Sequence, residues 1–254
     1  MTQSLSGNGY LAGRVALVTG ATRGVGRATA TRLCAAGAHV FLNYAHDDEQ
    51  AGRVSADLAG LPGGVTVVKG DVTDVDTLPV LFDQIDGRYG KLDIFVHNVS
   101  SMHPMASGAP EPAGVHADLA TALDPLLHSV ERLTKLLAPG TGRVIAVSSL
   151  GARAVIPRYL SLGVAKAALE SLVRYLAVEL AGRQITVNAV SSAKLDKGEP
   201  LGPREQQLAE RAPGGRLATP DDLADVISLL CRDEARWIQG QIITVDGGLS
   251  LRAP

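Results

Sequence analysis

Short apolar, β-branched runs alternate with longer stretches of helical periodicity along the chain. Val15–Val18, Ala38–Leu42, Val65–Val68, Leu92–Val96, Arg143–Val147, Ile185–Val190 and Gln241–Val245 predict seven strands. Helical patterns fill the intervals. The first, Ala28 to Ala36, is closed by Gly37, which tolerates the left-handed conformation that ends a helix. Asp47–Leu58 and Val75–Tyr89 follow, the second with Pro79 near its start. Val115–Leu137 reads as one helix bent at Pro125, and Leu160–Leu180 as a long helix. Thr219-Pro220-Asp221-Asp222 is an N-cap signal for a helix through Leu230. Residues 99–114 read as loop, and 193–215 mix Lys, Gly, Pro and a charged run.

Apolar strands separated by helices predict a parallel sheet covered on both faces. With right-handed crossovers this is an α/β, doubly wound (Rossmann) arrangement, expected here as a single domain over 1–254 with a seven-stranded parallel sheet. Ligands in such sheets bind beyond the carboxyl ends of the strands. Residues just after each strand are therefore the ones to inspect.

Composition removes several classes. A net charge of -2 leaves no electrostatic footprint for nucleic acid, and 4% aromatics leave few stacking platforms. Cys34 and Cys231 lie in apolar helical contexts and read as buried free thiols of a reducing compartment. No Cys or His pattern has metal-ligand spacing, so no metal is expected. The polar start has no apolar leader segment, and no run approaches the ~20 apolar residues of a membrane span. The expectation is a cytoplasmic protein with no membrane or nucleic-acid partner.

The richest stretch is Leu17 to Arg27, where three glycines sit between a strand and a helix start. Free backbone N–H groups and the positive end of a helix dipole there favour an anion. Gly20, Thr22, Arg23, Gly24, Val25 and Gly26 are the candidate cofactor-binding loop. After the second strand, Asn43-Tyr44-Ala45-His46 offers no carboxylate to pair with a ribose 2′-OH. Arg23 can instead reach a 2′-phosphate as a charge-assisted donor, with His46 as a second contact. The cofactor expected is NADPH.

Thr19-Gly20-Ala21-Thr22-Arg23-Gly24-Val25-Gly26 resembles the T-G-x-x-x-G-x-G motif of the short-chain dehydrogenase/reductase family. That resemblance implies that Asp71, with the backbone of Val72, holds the adenine amino group. It implies that Asn98 ties the central strands together. As helix caps, Asp74 fits better than Asp71. Ser101, Met102, His103, Pro104 and Met105 are placed to line a substrate mouth. Ser149 aligns with the family's catalytic serine.

Tyr159 and Lys166 stand seven residues apart, about 10.5 Å of rise and one face if helical. The commoner family spacing is Tyr-x-x-x-Lys, and Leu162 occupies that tyrosine position here. The longer spacing resembles the enoyl-acyl-carrier-protein reductases, most closely the NADPH-dependent type III enzymes. Ser148–Gly151, Gly163–Glu170, Val187–Ser191 and Gly240–Gly248 carry the likeness over nearly the whole chain.

It implies reduction of a 2-enoyl thioester on acyl carrier protein or coenzyme A. Tyr159 then donates to the developing charge, Lys166 holds the ribose and eases ionisation of Tyr159, and Ser149 shares the oxyanion. The family also implies a homo-oligomer, a tetramer, built on Leu160–Leu180 and the C-terminal strand. Residues 193–215 are expected to form a lid.

Three departures stand out. No Asn occupies Ala120–Asp124, where the family's tetrad residue lies. Ser191-Ser192-Ala193 replaces a Pro-Gly, and Lys197 stands where a Thr often grips the carboxamide. A ketoreductase of a 3-ketoacyl thioester is the alternative activity. A non-catalytic NADP-binding sensor or scaffold is the third.

Overall fold

A computed structural model describes residues 9–251. Seven parallel strands form one sheet in the order β3-β2-β1-β4-β5-β6-β7. The strands are β1 (Val15–Val18), β2 (His39–Tyr44), β3 (Val65–Lys69), β4 (Ile94–His97), β5 (Arg143–Val147), β6 (Thr186–Ser191) and β7 (Ile242–Thr244). The helices are α1 (Gly24–Ala35), α2 (Asp48–Leu58), α3 (Thr77–Tyr89), α4 (Pro112–Leu127), α5 (Val130–Leu136), α6 (Leu160–Leu180), α7 (Pro203–Arg211) and α8 (Pro220–Leu230).

Both faces of the sheet are buried, which is why the strands are apolar through most of their length. In β1, Val15 and Leu17 enter one core with Leu81 and Phe82 of α3, Leu126 of α4 and Leu169 of α6. Ala16 and Val18 enter the other, with Leu33 of α1, Val54 of α2 and Ile227 of α8. Successive residues point to opposite faces, so one short run supplies both cores. Strand order reverses between β1 and β4, the place beyond whose carboxyl ends sheets of this kind bind ligands.

Three sequence expectations change. Residues 115–137 are two helices, α4 and α5, separated at His128 and Ser129 rather than one helix bent at Pro125. Pro125 lies inside α4, where it removes one helical donor. Residues 193–215 contain the helix α7, whose Leu208 packs with Leu201 and Ala193 on Ala212, Leu217 and Leu249. Neither Asp71 nor Asp74 caps α3, whose N-cap is Asp76. Asp71 and Asp74 instead each accept from the backbone N–H two residues on. At α8 the expectation holds: Thr219 and Asp222 form a reciprocal capping box. Cys34 and Cys231 are buried and free, with burial pushing both thiols above their usual pKa.

Candidate active site

The glycine loop sits at the strand-order reversal. Gly20 and Gly24 take positive φ, +61° and +52°. Gly26 has no room for a side chain, because a Cβ would lie 2.3 Å from Gly20 O and 2.6 Å from Asn98 Nδ2. Asn98 Nδ2 donates to the carbonyls of Thr19 at 3.0 Å and Gly20 at 3.1 Å, so it ties the end of β4 to the loop after β1. Helix α1 starts at Gly24 with no side-chain cap and no acidic residue in its first turn. Its first N–H groups are thus left for an anion, and the cradle fits a dinucleotide pyrophosphate. Arg23 is exposed at the tip, Val25 packs partly on the core, and the Thr22 carbonyl accepts from Gln50.

Contacts at the adenine end are less even. Asn43 is buried and donates to Val68 O and Gly70 O, so it is occupied. His46 is exposed and lies 3.7 Å from Asp71 Oδ2, beside a carboxylate. Asp71 Oδ1 accepts from the N–H and hydroxyl of Thr73, and the N–H bond holds its pKa below the usual carboxylate value. Val72 buries its side chain in the core.

At the end of β5 the catalytic candidates meet. Tyr159 Oη donates to Ser149 Oγ at 3.1 Å, and Ser149 Oγ also accepts from Gly151 N at 3.2 Å. Lys166 Nζ donates to Val147 O at 2.7 Å, two residues before Ser149. Tyr159 is the N-cap of α6, with φ −116° and ψ 14°, so the spacing is not two full helical turns. Leu162 is buried against Ala122 and Ala165, leaving no hydroxyl four residues before Lys166.

Burial is the largest influence on the electrostatics of both the Tyr159 and Lys166 side chains. Burial raises the Tyr159 pKa, opposed by its bond to Ser149 and aided by Asp118. Burial takes Lys166 itself from 10.5 down to about 8. Near neutrality Tyr159 is a neutral phenol and Lys166 a charged ammonium.

Residues outside the expected set shape the site. Asp118 of α4 accepts from Ser101 Oγ at 2.7 Å, His103 N at 2.9 Å and His103 Nδ1 at 2.8 Å, which folds the loop after β4 back onto α4. Buried Glu170 accepts from Ser148 at 2.8 Å and pairs with Arg153 at 3.2 Å. His97, in the core face of β4, bonds Ala122 O through Nε2 at 2.9 Å. Of the five loop residues expected at the substrate mouth, Met102 lines the cavity. His103 is tied to Asp118, and Met105 is buried and bridged to Tyr159.

The cavity measures about 870 Å³. Ser149 and Tyr159 form part of its wall, with Val155, Ile156, Leu195 and Leu208 as apolar lining. Lys194, Lys197 and Arg204 also border it, and Lys194 pairs with Glu205 at 3.1 Å.

A family model described as enoyl-(acyl carrier protein) reductase matches residues 20–250. The chain belongs to the short-chain dehydrogenase/reductase family and is an oxidoreductase. It is 36% identical to a 1-cyclohexenylcarbonyl-CoA reductase of Streptomyces collinus, over 95% of this chain and 88% of that one. A chloroplastic NADPH-dependent aldehyde reductase 2 of Arabidopsis thaliana is 30% identical, over 95% of each chain. The angucycline C-6 ketoreductase LanV, solved with bound NADP, is 32% identical and superposes at a TM-score of 0.88. That superposition covers 97% of this chain and 99% of LanV. Among the described residues no helix is long and apolar enough to cross a membrane.

Proposed function

We propose that the protein is an NADPH-dependent reductase of 2-enoyl thioesters carried on coenzyme A or acyl carrier protein, acting in the cytoplasm. The observation that carries this reading is the position of the acid. Leu162 removes the hydroxyl one turn before Lys166, and the Tyr159 hydroxyl enters from before the helix instead. That arrangement suits a thioester oxygen that lies two bonds further from the carbon that is reduced than a ketone oxygen does. The likeness to the 1-cyclohexenylcarbonyl-CoA reductase supports the same substrate class. The cations Lys194, Lys197 and Arg204 beside an apolar cavity suit an acyl chain on a phosphate-bearing carrier.

The bound cofactor would supply a hydride. Gly20 to Gly26 would hold its pyrophosphate, and Arg23 its 2′-phosphate. Asp71 and Val72 would meet the adenine, and Lys166 the ribose. Tyr159 and Ser149 would donate to the enolate oxygen as charge collects there. Residues 193–215 would close over the acyl chain.

One observation favours a second reading. The Tyr159–Ser149 hydroxyl pair suits a ketone oxygen as well, and LanV is a ketoreductase. Crotonyl and acetoacetyl thioesters on one carrier, followed by NADPH consumption, separate the two. Faster reduction of the ketone would overturn the enoyl assignment. A homotetramer is part of the proposal, because Tyr175 and Val178 of α6 are exposed on that helix. Light scattering at the 26.4 kDa monomer mass would refute it.

A further inference from the structure

Helix α6 meets the end of β5 with two buried charged side chains four residues apart, Lys166 and Glu170. Residues at that spacing are neighbours on one helix face. Lys166 Nζ donates to Val147 O at 2.7 Å, and Glu170 Oε1 accepts from the Ser148 hydroxyl at 2.8 Å. Consecutive residues at the strand end are thus met by consecutive turns of the helix. The proposed chemistry gives Lys166 a task and leaves Glu170 without one.

The carboxylate has a second partner. Arg153 Nε donates to Glu170 Oε2 at 3.2 Å, and Arg153 Nη2 donates to Oε1 at 3.5 Å. Between Ser148 and Arg153 lies the short turn Leu150–Ala152, capped by Ser149. One carboxylate therefore holds both ends of the segment that carries the Ser149 hydroxyl. That hydroxyl accepts from Gly151 N at 3.2 Å and from Tyr159 Oη at 3.1 Å. A turn closed only by its own hydrogen bonds is free to pivot at the strand end. Two anchors on one helix remove that freedom and fix the hydroxyl.

The same turn is packed against the proposed acid. A Cβ on Gly151 would lie 2.5 Å from Tyr159 Cε1, and one on Gly163 would lie 2.8 Å from Gly151 O. Bare backbone at both positions lets the turn lie on the Tyr159 ring and on α6. Beyond Arg153 the chain continues as cavity wall through Ala154, Val155, Ile156 and Pro157. Arg153 reaches Glu170 from a half-exposed position, whereas the carboxylate is buried. A buried carboxylate that loses a donor is left uncompensated, so both contacts resist movement of the turn.

Resting on the acid–base assignment above, we infer that Glu170 is a positioning residue for the Ser149 hydroxyl and for the substrate wall at 154–157. Through Ser148 it fixes the strand end from which Ser149 follows, and through Arg153 it fixes the start of the wall. Glu170 itself does not line the cavity, so it acts only through the residues it holds. The two contacts divide the work. The Ser148 contact governs turnover, and the Arg153 contact governs the fit of the acyl chain.

The test is a double-variant cycle on the intact protein, with crotonyl thioester and NADPH as the probes. Glu170→Leu is expected to lower kcat about ten- to hundredfold, the scale of a reacting group displaced by about 1 Å. In a Ser149→Ala background it is expected to cost little more in kcat, because no hydroxyl is left to misplace. Glu170→Gln keeps an oxygen for Ser148 and is expected to recover part of the kcat. Arg153→Met is expected to raise the thioester KM more than it lowers kcat, and Ser148→Ala the reverse. A Glu170→Leu loss in kcat that is equal with and without the Ser149 hydroxyl marks a merely structural role and overturns the inference. A folded Glu170→Leu with parental kcat and KM overturns it as well. If Ser149→Ala and Tyr159→Phe both keep full turnover, the acid–base assignment itself fails and this inference with it. Should Glu170→Leu not fold, Ser148→Ala carries the same cycle, and losses that simply add to those of Ser149→Ala overturn the inference.

Discussion

Tyr159 Oη donates to Ser149 Oγ at 3.1 Å, and the same Ser149 oxygen accepts from Gly151 N at 3.2 Å. A hydroxyl has two lone pairs and one proton. With both lone pairs engaged, the Ser149 proton is free toward the cavity that both residues line, and a substrate oxygen there would draw the Tyr159 proton away from Ser149. The two hydroxyls therefore act as one unit toward a substrate oxygen.

Removing either member should cost about as much as removing both. Tyr159→Phe and Ser149→Ala are each expected to lose roughly 10²- to 10³-fold in kcat, the scale of a deleted oxyanion donor. The double variant should lose little more, since coupled groups are not additive. Steady-state turnover with a saturating thioester checks this. Ser149→Ala with near-parental kcat would count against the pair.

The buried ammonium sets a pH limit. Lys166 is lowered from 10.5 to about 8, with burial as the cause. Positioning a cofactor and a phenol requires the charged form, so kcat/KM should fall as pH rises through about 8. Stability moves the other way. The unfolded lysine keeps its proton up to 10.5, so the cost of burying the charge is present below about 8 and fades between about 8 and 10.5. Lys166→Met should remove this rise in unfolding free energy. A parental kcat/KM that stays flat to pH 10 would contradict the assignment.

Much of this architecture is legible in the sequence because burial on two faces imposes a local pattern. Arg143–Val147 and Leu160–Leu180 are observed at the residues that the apolar runs predict. The glycine loop was legible for a similar reason: a backbone packed at 2.3 Å from an absent Cβ leaves no alternative residue at Gly26. Contacts between distant elements were not. The tie from His97 to Ala122 spans 25 residues and depends on how α4 lies over β4. Likewise, the low pKa of Lys166 comes from desolvation, which no spacing reveals. The break between α4 and α5 was hidden because both halves share one apolar face against the same core.

Gly26 offers a stability test of the cradle. Its added Cβ in Gly26→Ala would meet Gly20 O at 2.3 Å and Asn98 Nδ2 at 2.6 Å, and one of these is backbone. The loop must shift, at a cost of about 1–3 kcal/mol by analogy with overpacked cores. Both the thermal midpoint and NADPH affinity should fall. Denaturant unfolding and cofactor titration check the two separately. Unchanged NADPH affinity would separate the loop from cofactor binding.

The lid proposal gives a dynamic expectation. Ala193, Leu195 and Leu208 face the cavity, and α7 is held by a small cluster apart from the two main cores. Few buried contacts mean low local stability, so amide hydrogens over 193–215 should exchange faster than those of β4 and β5. Substrate analogue with cofactor should slow them. Exchange as slow as in the strands, in the free protein, would rule out a mobile lid.

Cofactor choice can be decided at one residue. Arg23 is exposed at the loop tip, while Asn43, the polar residue ending inside β2, is spent on Val68 O and Gly70 O. His46 sits beside the Asp71 carboxylate, which weakens it as a phosphate contact. The 2′-phosphate would then depend chiefly on Arg23. A charge-assisted bond of about 1.5–3 kcal/mol corresponds to roughly a ten- to hundredfold change in affinity. Arg23→Ala should weaken NADPH by that factor and leave NADH nearly unchanged, because NADH has no phosphate there to lose. His46→Ala should change NADPH affinity much less. Calorimetric titration of both cofactors against the parent and the two variants measures this. Equal losses for NADPH and NADH in Arg23→Ala would mean that Arg23 shapes the loop rather than reading the phosphate.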